Sequence, residues 1–229
     1  MGYWKNPSVP LSKRYVPAKG EHIANIVTQA ISVTIAVPLW LYVLSQVYNS
    51  TYALTVFFLH GLSYILMFLI SMQFHIVSLF EWGTPRMIRW HLYDRLVIYF
   101  IIAAGYTPWL TIPHLHGLAG MHMWWLVWAL GILGAVYSIY LLNWSKVLET
   151  TIYTTYGVLP FWPLYTAMVP GIEHIVYGGI AIIIIGVPLF KLDGHVPCSH
   201  ALWHVCVSVG CLWHCWAAYT YLVPIAMFA

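Results

Sequence analysis

Seven long apolar runs, separated by short polar breaks, fill most of this chain. They fall at about 23–47, 52–78, 95–111, 121–142, 147–168, 174–191 and 199–222. Each is within or above the range of roughly 17–25 residues that a bilayer-crossing helix needs. The runs are largely uninterrupted and do not alternate every second residue, so they predict helices and not the strands of a barrel. Pro108, Pro160, Pro163 and Pro188 lie inside them. Kinks are expected there, because neighbouring helices can satisfy the carbonyls a proline frees. The pattern predicts an all-α bundle of seven transmembrane helices: a polar tail over 1–22, a membrane domain over 23–222 and a short tail over 223–229.

Composition agrees. Of 229 residues, 62% are hydrophobic and only 7% are charged, where a soluble domain carries about 25% charged residues. Seven helices take about 140 residues, which leaves no room for a separate soluble domain. The first ~20 residues carry Lys5, Lys13, Arg14 and Lys19 and have no short apolar core, so the first span is expected to act as its own insertion signal. Neither an internal repeat nor a low-complexity tract is visible.

The nine Lys and Arg residues set the orientation. Four are in the N-terminal tail; Arg86, Arg89 and Arg95 surround the second loop; Lys146 is in the fourth loop and Lys191 ends the sixth span. In a seven-span topology all nine fall on one side. The positive-inside rule therefore predicts a cytosolic N-terminus and a non-cytosolic C-terminus.

Topology also brings polar groups together. Ionisable residues inside spans are costly and are functional candidates by default. His75 lies near the cytosolic end of the second span, Asp94 at the cytosolic start of the third, and His200 and His204 in the first turns of the seventh. Far apart in sequence, they arrive at one depth. His200 and His204 are i and i+4, so their side chains leave one helix face, the spacing of two zinc ligands on a helix. His75 can complete a set of three, and three protein ligands with an open position is the pattern of catalytic zinc. Such a metal lowers the pKa of a coordinated water to roughly 7. The metalloprotease motif places a Glu after its first His. Here that place is Ala201, so the base must come from elsewhere; Asp94 is the acid at this depth that is plainly on a span. Ser71, one turn above His75, is placed to donate a hydrogen bond to the water or to an oxyanion. A single intramembrane His is more often a hydrogen-bonded packing residue than a ligand. The pair together with His75 and Asp94 is what favours the metal reading.

Other polar groups read as structural. His114, His116 and His122 cluster on the opposite side, and the remaining histidines are not expected to converge on the site. His204, Cys211 and Cys215 share a helix face, but Cys211 lies about 10 Å along the axis from His204 at ~1.5 Å per residue, too far to share one ion. All four cysteines are expected to be unpaired packing residues. Trp124, Trp125 and Trp128 are expected in an interfacial aromatic belt, with a role in lining a lipid access path as the alternative.

Several motifs together resemble the progestin and adipoQ receptor family, also called the haemolysin III-related family. EHIAN (Glu21–Asn25) resembles the family's E-x-x-N opening of the first span. SMQFH (Ser71–His75) is similar to its S-x-x-x-H. DRLVIYFIIAAGYTPWL (Asp94–Leu110) resembles its third-span signature, and HALWH (His200–His204) its seventh-span H-x-x-x-H. FHIVS, DRLVIYF and FKLDGHVP are most similar to the branch of monocyte-to-macrophage differentiation factors. The resemblance implies seven helices with a cytosolic N-terminus and zinc held by His75, His200 and His204, with Asp94 and Ser71 close to the metal's water. It implies a link to hydrolysis of the ceramide amide, as in the adiponectin-receptor branch, and residence in Golgi or late endosomal and lysosomal membranes. Gln29 departs from the pattern, since the family often has His after Thr28; that His is not a zinc ligand in the family. The resemblance does not extend to the long cytosolic domain of adiponectin receptors, so adiponectin-like ligand recognition and their partner binding are not expected from it.

Two functions are consistent with these residues. One is an intramembrane zinc amidohydrolase acting on a ceramide-like lipid. The other is a receptor or regulatory membrane protein in which zinc ties helices together and a ligand shifts their packing. A pore is disfavoured, because no span carries a row of charges. The topology makes one direct prediction. Asn49 lies almost against the membrane, Asn143 is on the cytosolic side, and Asn6 is followed by Pro7. No glycan is expected at any of the three, so glycosidase treatment should leave electrophoretic mobility unchanged.

Overall fold

The computed structural model describes residues 3–4, 6–7, 15–111, 113–141, 146–161 and 173–228. They form seven helices: α1 (Lys19–Val47), α2 (Thr51–Phe80), α3 (Pro85–Thr111), α4 (Pro113–Leu141), α5 (Lys146–Val158), α6 (Glu173–Lys191) and α7 (Ser199–Phe228). Among the described residues the only β pairing is an isolated bridge between Asp193 and Val196. Lys19–Val47, Thr51–Phe80, His122–Leu141 and Ser199–Ile225 are long and apolar enough to cross a membrane. In α6 the apolar stretch is shorter, Tyr177–Lys191. The 27 residues of α3 include Arg86, Arg89, His91, Asp94 and Arg95, which lower its hydropathy over the first half.

The chain is a helical membrane bundle, and its surface shows it. Ile31, Ile35, Ile132, Leu133 and Ile185 face outward, while Ser63, Ser71, His60 and His75 are buried. Lipid cannot satisfy a polar group, so polar side chains turn toward one another inside.

Local sequence explains where helices start and stop. The Ser50 hydroxyl accepts from Ala53 N–H at 3.3 Å and caps α2. Glu21 reaches back to the Ala18 N–H at 2.7 Å at the start of α1. Helix α5 ends at Val158, and Leu159 and Pro160 form a turn. Phe161 is helical again, so the helical run is interrupted at the expected proline, by a turn in place of a kink. Pro163 and the rest of the expected fifth span from 162 lie outside the described residues. Pro108 and Pro188 do lie within helices, as do Pro38 and Pro224.

Helices α1 to α4 pack in chain order, α5 packs on α3 and α4, and α7 touches α1, α2, α3 and α6. Helix α7 thus shares the central place with α3. Two small-residue contacts hold α7 close. Ser32 and Ser208 hydroxyls meet at 2.7 Å between α1 and α7. A Cβ added at Gly210 would lie 3.1 Å from the Gly179 carbonyl oxygen, so α6 and α7 nearly touch backbone to backbone.

The three tryptophans divide. Trp124 and Trp128 are half-buried and both donate their indole N–H to the Thr107 hydroxyl, at 3.2 and 3.1 Å. They fasten α4 to α3, while Trp125 is exposed. The cysteines are all free, as expected.

The core packs without slack at Gly134. A Cβ there would lie 2.1 Å from the Tyr99 ring, which is held between Tyr153 and Tyr156 with centroids 4.9 and 5.9 Å away. Gly134→Ala is expected to destabilise the bundle by about 1–3 kcal/mol, read as a lower unfolding midpoint in detergent. Gly105→Ala, whose Cβ would meet only the Tyr64 hydroxyl at 3.6 Å, should leave the midpoint unchanged.

Candidate metal centre

Because α7 crosses α2 inside the bundle, it carries His200 and His204 to His75. One ring nitrogen from each histidine lies within 4.8 Å of the others. The ring centroids are 5.4 Å apart for His75 and His200, 5.2 Å for His75 and His204, and 4.6 Å for His200 and His204. His75 is 2% exposed and His204 5%. His75 Nε2 and His204 Nδ1 are buried with no hydrogen-bond partner among the described residues. Leaving one such group unsatisfied costs about 1–3 kcal/mol. A cation shared by the three rings would satisfy both. The donor set is all imidazole, which suits zinc and other borderline metals. Among the described residues this is the set of His, Cys, Asp and Glu side chains arranged to hold a metal ion.

Asp94 and Ser71 sit beside this cluster. Both line a cavity of about 250 Å³ whose wall also includes His200 and His204. The Ser71 hydroxyl lies against the Asp94 carboxyl group. Away from the polar end, the cavity is walled by apolar side chains including Ile98, Trp109, Ile180 and Val187. Glu149 on α5 is a second buried acid, but it is engaged. Arg95 lies 4.0 Å from it, and the Tyr153 hydroxyl donates to it at 2.8 Å. That leaves Asp94 as the carboxylate that shares the cavity with two of the histidines.

The histidines are braced from outside. His75 Nδ1 lies 3.4 Å from both the Asn25 amide nitrogen and His22 Nδ1. His200 Nδ1 lies 3.9 Å from the Asp193 carboxylate. Here the expectation that no other histidine converges is corrected: His22, at the start of α1, packs against the cluster. It was hidden because α1's position against α2 is a tertiary fact. The side chains of His114 and His116 lie outside the described residues.

Glu21 ties the inner face together. It is 3% exposed, accepts from the Tyr15 hydroxyl at 2.8 Å and the Ala18 N–H at 2.7 Å, and receives the Cys198 N–H at 3.4 Å. One carboxylate thus joins the N-terminal segment, the first turn of α1 and the residue before α7. Burial, reinforced by the hydrogen bond to Glu21, pushes the Tyr15 phenol above its ordinary range. Burial and then the Glu21 charge push the Cys198 thiol up.

A model of haemolysin-III-related proteins matches residues 19–215, from the first turn of α1 past His204. The chain belongs to the haemolysin-III-related family. It is 34% identical over 221 residues to the monocyte to macrophage differentiation factor of Homo sapiens, covering 95% of this chain and 91% of that protein. It is 30% identical over 212 residues to a hemolysin-3 homolog of Bacillus subtilis, covering 89% and 96%. The matched residues run from the start of α1 into α7 and include His75, His200 and His204.

Proposed function

We propose that this chain is a zinc-dependent lipid amide hydrolase that works inside the membrane. The observation that carries the reading is three converging histidines, two with orphaned buried nitrogens, opening onto an apolar cavity that also holds Asp94 and Ser71. His75, His200 and His204 would hold the ion. Three protein ligands leave a position open, the arrangement of catalytic zinc and not of structural zinc. A zinc ion there supplies Lewis acidity, polarising a carbonyl oxygen and acidifying water.

The chain's own residues supply the rest. The apolar cavity takes an acyl chain and excludes bulk water, leaving the amide at its polar end. Asp94 accepts a proton from the attacking water and delivers it to the leaving nitrogen. Water adds across the C–N bond, so one carboxylic acid and one amine leave. Because the Ser71 hydroxyl lies against Asp94, its single proton orients that carboxylate, and this role takes precedence over an oxyanion contact. A ceramide-like amide is the substrate class that the family resemblance supports. The non-catalytic alternative needs the same zinc but no proton carrier, so Asp94 separates the two.

Metal analysis of the detergent-purified protein should find about one zinc per chain, with loss in His204→Ala. Asp94→Asn should keep the zinc and lower fatty-acid release from N-acyl lipids by about 10²-fold or more, the usual scale of general acid–base catalysis. A well-folded wild type without zinc sinks the proposal. Zinc-loaded wild type with no turnover on any N-acyl lipid leaves the regulatory role in its place.

A further inference from the structure

The two orphaned nitrogens have a common neighbour on the helix that contributes no ligand. Asn25 of α1 is 1% exposed. Its side-chain amide lies 3.4 Å from His75 Nδ1, and its backbone carbonyl accepts a hydrogen bond from the His204 ring. His204 Nδ1 has no partner, so the donor of that bond is Nε2. In both rings, then, one nitrogen faces Asn25 while the other is buried and unpartnered.

A neutral imidazole carries one proton, and only its bare nitrogen can bind a metal. On His204 the proton at Nε2 leaves Nδ1 bare. On His75 the amide as oriented presents its nitrogen, a donor, to Nδ1. That places the ring proton on Nε2, where it has no acceptor, and leaves Asn25 Oδ1 without a donor. Rotating the amide by 180° exchanges two atoms of nearly equal size. Oδ1 then accepts from Nδ1–H, and Nε2 becomes a lone-pair donor. His22 Nδ1, also 3.4 Å from His75 Nδ1, is an acceptor for the same tautomer.

We propose that Asn25 is the positioning residue of the metal centre: its side-chain oxygen and its backbone carbonyl fix the tautomers of His75 and His204 so that both bare nitrogens face the ion. The inference rests on the reading of the three histidines as a metal site. Outer partners of this kind commonly contribute 10–100-fold to metal affinity.

The test is cobalt titration of chelator-stripped protein in detergent, followed by the visible absorption of the bound ion, with zinc competition for affinity. Asn25→Leu keeps the bulk and loses the acceptor, and should bind about 10–100-fold more weakly. Asn25→Asp can only accept, so it must present an oxygen to His75 Nδ1–H, and should bind within about threefold of wild type. A purely structural Asn25 would tolerate a buried carboxylate worse than a leucine. Leucine binding as tightly as wild type overturns the inference, as does aspartate binding as weakly as leucine; either result leaves the metal centre standing. Wild type that binds no metal removes the centre itself. Should Asn25→Leu not fold, 15N spectra of histidine-labelled, zinc-loaded wild type give the answer, with His75 assigned by its substitution. A proton on Nδ1 is expected, and a proton on Nε2 overturns the inference.

Discussion

A polar side chain inside an apolar bundle must find its partner on another helix, because lipid offers none. That constraint organises this molecule. Ser32 of α1 meets Ser208 of α7, Trp124 and Trp128 of α4 meet Thr107 of α3, and Arg95 of α3 faces Glu149 of α5. Each pair fixes one helix against another with a directional contact that apolar packing does not supply. At the histidine cluster the constraint is met only in part. The rings of His75 and His204 are held on one side by α1, and the nitrogens on the other side have nothing. Other buried polar atoms, such as Gln29 Oε1 and Trp40 Nε1, also lack a partner, but among the described residues only at this cluster do such atoms belong to side chains placed to share one cation.

The inner face carries a second layer of order. Glu21 gathers the Tyr15 hydroxyl and two backbone N–H groups, one of them from Cys198. Cys198 is held at φ +56°, in the left-handed region, and Gly194 at +82°. Non-glycine residues rarely rest there, and a strained position persists where its surroundings over-determine it. The strained turn lies just before His200, and the Tyr15 ring fills the space over Gly194. The N-terminal segment thus helps to set where α7 begins, and with it the register of His200 and His204.

Much of this was legible in the sequence. The spans follow from apolar run length, and the convergence of His75, Asp94, His200 and His204 from counting crossings. The i, i+4 spacing gave the shared face of the two α7 histidines. What was not legible depended on which helices touch. His22 and Asn25 lie at the start of α1, and nothing in their spacing says that α1 packs across from His75. That Trp124 and Trp128 turn to Thr107 while Trp125 faces out was hidden, because rotation of α4 about its axis is invisible to hydropathy. Pro160 lay in an apolar run, but a proline that kinks a helix and one that interrupts it with a turn look alike until the backbone is seen.

Helix α7 can meet α2 only after the helices between them have been made. The second helix leaves the ribosome and enters the membrane carrying His75 well before its partners exist, for His200 and His204 belong to α7, five helices later. Until then the imidazole is a polar group held in an unfinished bundle, braced by α1 alone. Segments that wait for a distant partner are the ones exposed to misassembly and quality control. The cluster is therefore also an assembly checkpoint: the centre can close only once α7 has been translated and inserted against α2.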